Sequence, residues 1–335
     1  MQTFENIFVI ILIKKVDEAM AKRRKLKKTP LIIIVALIIL IVGAFWGIEK
    51  YHEYLYHKTT EYKLLETGYS KEEIDLFKDK LQEEKLEELL DNPKNKDLIG
   101  ILKEKYYLDK NLDRYLAYLG KNKSKSYSDI VAIVNVNADN YWYEYELEAD
   151  KSNEYGILTN KFYKLSNDYS PSDIVKISSL YAYEGHQIKE EVLLAYIEMS
   201  TAAKNVGLNL IITSSYRDYK NQQDTYDYYE LHHGKEYADG IAARAGHSEH
   251  QTGLALDILR YNTKMAEFEE TEEYTWLLNN SYKYGFILRY PKDKEYLTGY
   301  KFEAWHYRYL GKDLALKVYN EGITYDEYYA YYIAK

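Results

Sequence analysis

The amino-acid sequence predicts an α+β fold, in which a domain with an antiparallel sheet and flanking helices follows one apolar helix and a small helical spacer. From about residue 131 onward, strand-like and helix-like segments mix without a repeat, which favours an α+β domain over a doubly wound one. Residues 49–130 carry helical patterns instead. Of the 335 residues, 46% are hydrophobic and 29% charged, a globular balance that excludes wholesale disorder.

The first thirty residues differ from the rest of the chain in charge. They carry eight basic residues against three acidic ones, a net of +5, and because the whole chain is at −8 the remainder is at −13. That acidity argues against nucleic acid as a partner, since phosphate binding needs a basic face. We expect residues 1–29 to form a cytoplasmic basic tail. Residues 1–19 fit an over-extended gene start, because Met20 opens a stretch typical of an export signal.

Residues 30–48 are uncharged and strongly apolar, which predicts a single transmembrane anchor. At about 1.5 Å per residue, a helix of this length just spans a hydrocarbon core of roughly 30 Å. The basic residues before it predict a cytoplasmic N-terminus and place the chain from Glu49 onward outside the cell. A cleaved signal peptide is the alternative, because residues 42–44 loosely resemble a small-residue cleavage site.

Residues 49–130 are predicted to form a helical spacer domain, in which no motif points to chemistry. Ser70 and Glu73 are spaced as a capping box, which predicts the start of a helix. The apolar run at residues 130–134 predicts a strand or a buried turn, at the beginning of the next domain.

Residues 131–335 are predicted to be one domain, whose elements follow from apolar spacing and glycine stops. The predicted helices cover residues 189–206, 222–233 and 271–284, with a last helix opened by Thr324 and Glu327, and the predicted strands cover residues 208–213, 254–258 and 286–289.

The residues missing from the chain narrow the possible chemistry. There is no cysteine, which excludes a disulfide scaffold, a cysteine-ligated metal centre and a cysteine nucleophile. No serine has a lysine three positions later, which disfavours the serine enzymes that carry that motif. The His-Glu-x-x-His helix of many zinc peptidases is also missing.

Two histidines and one aspartate have a context that suggests metal binding. The bend at Gly253 could bring Asp257 back toward His250. A carboxylate in an apolar strand is costly unless it is paired or bound to a cation. With His306 from an aromatic segment, these residues would make a three-ligand zinc set that leaves a fourth position for water, as hydrolases require. Spacing alone leaves this site and a pair of ordinary core histidines equally open.

Glu303 would be the general base of such a site. It lies three residues before His306, and on a regular strand residues three apart face opposite sides. The two side chains can therefore share a site only if the chain bends between them.

Three segments, taken in order, resemble the zinc D-alanyl-D-alanine carboxypeptidases of the VanY type, a family that includes L,D-carboxypeptidases. They are residues 214–222 (SSYRDYKNQ), 246–258 (GHSEHQTGLALDI) and 303–308 (EAWHYR). The resemblance covers roughly residues 131–335 and implies a zinc carboxypeptidase domain there. It implies that His250, Asp257 and His306 are the zinc ligands and that Glu303 is the catalytic base.

The same resemblance implies roles for three further residues. Arg217 would stabilise the oxyanion or bind the terminal carboxylate of the substrate, and Gln222 and Ser248 would help to grip that carboxylate. A planar guanidinium with amide and hydroxyl donors suits this task. Ala245 and Ala304 depart from the family, which often has proline there, and this puts the stiffness of their loops in doubt.

The implied function is removal of the terminal D-alanine from peptidoglycan stem peptides, at a D-Ala-D-Ala or an L-Lys-D-Ala bond. The expected partners are these peptides and the membrane, the latter through the single N-terminal helix, and we expect a monomer. Two alternatives stay open: a zinc-containing wall-binding module without catalysis, and a peptidoglycan endopeptidase that uses the same chemistry.

Overall fold

A computed structural model of the chain describes residues 11, 13–18, 28–91, 94–153 and 155–334. The predicted basic tail over residues 1–29, with its alternative start at Met20, lies largely outside these residues. By its contacts the chain divides into two units, Met1–Lys94 and Asn95–Lys335. The sequence predicts its domain boundary further on, at residue 130.

The described part of the first unit is helical. Residues 13–18 are helical, and the helices that follow are α1 Lys28–His57, α2 Thr60–Glu66, α3 Lys71–Lys80 and α4 Glu83–Glu88. The capping box predicted at Ser70 and Glu73 is confirmed, since each side chain accepts a hydrogen bond from the other residue's backbone N–H at the start of α3. Helices α2 and α3 bury Leu64, Ile74 and Phe77 in a small core.

Helix α1 carries the apolar run of the sequence, and its apolar side chains are exposed. Within the described residues, Leu31–His57 is the one stretch whose length and composition would let a helix cross a membrane. A signal sequence near an N-terminus meets the same criterion.

The second unit contains helices and short strands in mixed order, so the predicted α+β class is confirmed. Its described α-helices are α5 Lys96–Leu102, α6 Leu112–Lys121, α7 Tyr127–Asn135, α8 Glu190–Lys204, α9 Tyr219–His233, α10 Lys235–Ile241, α11 Met265–Phe268, α12 Glu272–Asn280, α13 Glu295–Thr298, α14 Lys312–Glu321 and α15 Tyr325–Tyr328. Its described strands are β1 Leu147–Glu148, β2 Tyr163–Lys164, β3 Ile174–Lys176, β4 Gln187–Lys189, β5 Leu210–Ser214, β6 Ala255–Arg260, β7 Phe286–Leu288 and β8 His306–Tyr309.

The central sheet has four strands in the order β5-β6-β8-β7, and each neighbouring pair is antiparallel, as the sequence predicts. The described residues also form two smaller sheets of two strands each. Strands β1 and β2 are parallel, and strands β3 and β4 are antiparallel. Because side chains alternate along a strand, the central sheet has two different faces. Leu256, Ile258 and Tyr307 lie in the apolar core with residues of α8 and α12. Asp257, between Leu256 and Ile258, and its cross-strand partner His306, next to Tyr307, point to the opposite face.

The apolar run at residues 130–134 is helical, so its prediction as a strand or a buried turn is wrong. It lies in α7, where residues 130–135 are all buried. A helical segment that is buried on every side has no polar face, so its sequence lacks the alternation of apolar and polar residues that identifies a surface helix. The sequence feature that indicates this helix is Ser126, whose side chain caps α7 by accepting a hydrogen bond from the backbone N–H of Asp129.

Candidate active site

The register of the central sheet brings two of the predicted ligands together. Asp257 in the middle of β6 pairs with His306 at the start of β8. His250 reaches the same place from the short 3-10 turn Glu249–Thr252, which ends at Gly253. Gly253 has φ +68°, and a Cβ there would lie 2.9 Å from the Lys189 side chain, so the bend requires glycine.

The three side chains converge on a common point. The Oδ1 atom of Asp257 lies 3.3 Å from Nδ1 of His306 and 3.5 Å from Nε2 of His250. One potential ligand atom from each residue lies within 4.8 Å of the other two. Oδ1 of Asp257 is buried and has no hydrogen-bond partner. Since a buried carboxylate oxygen without a partner is costly, this donor set fits a cation.

The second nitrogen of each imidazole has an acceptor of its own. Nδ1 of His250 lies 2.7 Å from the carbonyl oxygen of Ser215. Nε2 of His306 lies 3.3 Å from Oε2 of Glu249. A neutral imidazole that donates from one nitrogen presents a lone pair at the other, and in this geometry that pair faces Asp257. The local hydrogen bonds thus favour the tautomers that bind metals.

Burial and nearby charges set the pKa values of the two histidines predicted as ligands. Burial, together with the charge of Arg217, lowers the pKa of His250 to about 4, so that imidazole is neutral at pH 7. Burial would also lower the pKa of His306, but the carboxylates of Asp257 and Glu249 outweigh it and raise that pKa to about 9, so a bound cation would have to replace a proton on this imidazole. The carboxylates that attract a proton here attract a cation for the same reason.

Glu303 lies beside the predicted ligands, just before β8. Its Oε2 is 3.4 Å from Nδ1 of His306. The chain bends between them, because the backbone N–H of His306 donates to the Glu303 carbonyl at 3.3 Å. The bend that the sequence requires for a shared site is therefore present. Burial raises the pKa of Glu303 to about 8, which makes its carboxylate a stronger base than an exposed one.

The three residues predicted to bind substrate surround the same cleft. The backbone N–H of Arg217 donates to the carbonyl of His250 at 3.2 Å, and Nε of Arg217 is buried without a partner. The hydroxyl of Ser248 accepts from the backbone N–H of His250, which leaves its hydrogen available. Nε2 of Gln222 already donates to the carbonyl of Ala243 at 2.6 Å, while Oε1 has no partner. Gln222 therefore has less donor capacity for a carboxylate than its sequence position implies.

The cleft has a volume of about 380 Å³, within the range of small-molecule sites. Besides the seven predicted residues, side chains without an assigned role line it, and they include Tyr229, Tyr237, Met265, Tyr290, Tyr300 and Trp305. The polar groups of the cleft thus lie among aromatic side chains.

The sequence reasoning missed Glu249, which is fully buried next to the predicted ligand His250. Its Oε1 accepts from Nε of Arg289 at 2.7 Å and from Nη1 of Arg308 at 2.8 Å. Burial would raise the pKa of Glu249, but the two guanidinium charges outweigh it and hold that pKa below its usual range. The sequence does contain one hint of this buried acid. Arg289 and Arg308 lie within apolar, strand-like segments, and guanidinium groups that are buried in this way need a buried acidic partner.

Comparisons with known proteins indicate the family. Residues 185–312 match the family model described as VanY, D-alanyl-D-alanine carboxypeptidase. The YodJ protein of Bacillus subtilis (strain 168) is 38% identical over 179 residues, which are 51% of this chain and 66% of YodJ. The D-alanyl-D-alanine carboxypeptidase of Enterococcus faecium is 36% identical over 184 residues, which are 52% of this chain and 57% of that protein.

A solved structure is also similar to this chain. The LdcB LD-carboxypeptidase superposes with a TM-score of 0.51 and 34% identity, over 56% of this chain and 98% of LdcB. The chain spans 57 to 66% of the two curated relatives described above. The matched residues 185–312 contain every predicted site residue. From the family model and the similarity to nearly all of LdcB, this chain belongs to the VanY family of D-alanyl-D-alanine carboxypeptidases.

Proposed function

We propose that this protein is a zinc-dependent carboxypeptidase, which removes the terminal D-alanine from peptidoglycan stem peptides. The observation that carries the proposal is the convergence of His250, Asp257 and His306 within 4.8 Å, beside a cleft lined by donors for a carboxylate. Two imidazoles and one carboxylate are a zinc donor set with an open position. The printed names of the relatives, carboxypeptidases of the D,D and L,D types, support this substrate class.

Zinc bound by these three residues would lower the pKa of a water molecule and polarise the scissile carbonyl. Glu303 takes the proton as the water oxygen bonds to the carbonyl carbon. It returns that proton to the nitrogen of the leaving D-alanine as the C–N bond breaks. Its raised pKa suits both steps, because the group must accept and release a proton near neutral pH.

Arg217 supplies the positive charge of the cleft. Its guanidinium stabilises the negative charge that develops on the carbonyl oxygen, or it binds the terminal carboxylate of the substrate. The hydroxyl of Ser248 adds a donor for that carboxylate. Gln222 contributes through the N–H that Ala243 leaves free.

Product analysis tests this proposal. We expect the purified full-length chain, supplied with zinc, to release free D-alanine from muropeptides, as detected by mass spectrometry. Loss of D-alanine from a pentapeptide identifies the D,D activity, and loss of D-alanine from a tetrapeptide identifies the L,D activity. A chelator-treated sample is the control. Cleavage within the stem or the crosslink would instead indicate an endopeptidase. If the muropeptides stay intact in the presence of bound zinc, the carboxypeptidase proposal is wrong and a wall-binding role remains.

We further propose that α1 anchors the protein in the cell membrane, with its N-terminus in the cytoplasm and the peptidase domain outside. The length and exposure of the apolar side chains of α1 and the basic residues before it support this topology. We expect protease added to intact, wall-stripped cells to digest the domain, while a cytoplasmic marker protein stays intact. The mature protein should stay in the membrane fraction. Recovery in the soluble fraction with a new N-terminus near residue 44 would indicate a cleaved signal peptide.

A further inference from the structure

The carboxylate of Glu249 connects the metal-binding residues to a cluster of buried ions. Its two oxygens have different partners: Oε1 accepts from Arg289 and Arg308, and Oε2 lies 3.3 Å from Nε2 of His306. The side chains of Glu249, Arg289 and Arg308 are 0% exposed. Burying a charged carboxylate destabilises the fold unless ion pairs and hydrogen bonds offset the loss of hydration.

The two arginines are themselves held in place. Nη2 of Arg308 donates to the carbonyl oxygens of Tyr155 at 2.9 Å and Ile157 at 2.6 Å. Nη1 of Arg289 donates to Oδ2 of Asp326 in α15, at 2.5 Å. Because both guanidinium groups are anchored at their far ends, the Glu249 carboxylate has little freedom to move. One of its oxygens is thereby fixed next to the imidazole of His306.

We propose that Glu249 is a positioning residue of the metal centre: its carboxylate accepts the Nε2–H of His306 and so fixes the ring with Nδ1 directed at the cation. This inference rests on the zinc centre proposed above. The two carboxylate oxygens have separate roles. Oε1 neutralises the charges of the two arginines, and Oε2 orients the imidazole of His306. A carboxylate behind a metal-bound imidazole also makes the ring a better electron donor than a neutral acceptor would.

The test compares the zinc affinities of three variants with that of the parent chain, by competition with a chromophoric chelator. Glu249→Gln keeps the shape but removes the charge, and we expect zinc binding to weaken about 10- to 100-fold. Glu249→Asp keeps the charge for the arginines but withdraws the carboxylate from His306, and it should also weaken zinc binding. If Glu249→Gln fails to fold, Glu249→Asp is the decisive variant.

Asp326→Asn is the matched control, because it removes a buried acid from the same Arg289 without touching a metal ligand. We expect all three variants to lower the melting temperature of the zinc-free protein, but only the two at Glu249 to weaken zinc binding. Unchanged zinc affinity in both Glu249 variants, or an equal loss in Asp326→Asn, would overturn the positioning role. A parent chain that binds no zinc would instead refute the proposed function itself.

Discussion

Replacement of Glu303 with alanine is expected to reduce turnover about 10²- to 10⁴-fold, the contribution typical of a general base, while the metal content stays unchanged. Glu303 lies 3.4 Å from Nδ1 of His306, but it is outside the three-residue set that converges on the metal position. Its removal therefore takes away the proton acceptor and leaves the donor set complete. Turnover of a stem pentapeptide and zinc per chain, measured on the same sample, check both parts.

Two further variants make this result specific. Glu303→Gln keeps the size of the side chain but removes its basicity, and it should lose as much activity as the alanine variant. Glu198→Ala removes an exposed carboxylate on α8 and should behave as the parent chain does. If Glu303→Gln retained most of the activity, or if Glu303→Ala lost its zinc, the assignment of Glu303 as the base would be wrong.

Replacement of Asp257 with alanine is expected to remove both the metal and the activity. Asp257 is the shared partner of both histidines, and Oδ1 is the oxygen that the cation would satisfy. Without this ligand the site keeps two neutral donors, which bind zinc far more weakly. In the parent chain, zinc at about 100 times its dissociation constant should stabilise the fold by about 2.7 kcal/mol, and this increment should vanish in the variant.

Thermal unfolding with and without zinc measures that increment, and elemental analysis after dialysis measures bound zinc. Asp224→Ala, on the exposed face of α9, is the matched control and should keep both properties. An Asp257→Ala protein that still held one zinc per chain would show that the metal has other ligands. Together the two substitutions separate the proposed roles, because only that of Asp257 should affect metal binding.

Local signals were sufficient for part of the fold. The helix starts at Ser70 and Thr324 are confirmed as capping boxes, because a cap depends on side-chain and backbone contacts within four residues. The site motif is also local in part: the segment from His250 to Asp257 carries two potential ligands, and Gly253 supplies the bend between them. Such features can be predicted since the interacting atoms are close in sequence.

Other features depend on partners that are distant in sequence. The helix α7 was missed because its residues 130–135 are all buried, and burial is decided by elements elsewhere in the chain. Glu249 resembles a surface residue in the sequence, yet it is paired with Arg289 and Arg308, 40 and 59 residues away. Nothing within a short window of sequence reveals such a partnership.

By itself, the sequence determined the α+β class, the apolar helix near the N-terminus, the family, and the identity of the residues that could bind a metal. These follow from composition, residue order and motifs. Only the tertiary structure decided that Asp257 and His306 face each other across β6 and β8, that the chain bends between Glu303 and His306, and that the Glu249 carboxylate contacts the imidazole of His306. Strand register and burial result from the packing of the whole domain, and they set the distances on which the chemistry depends.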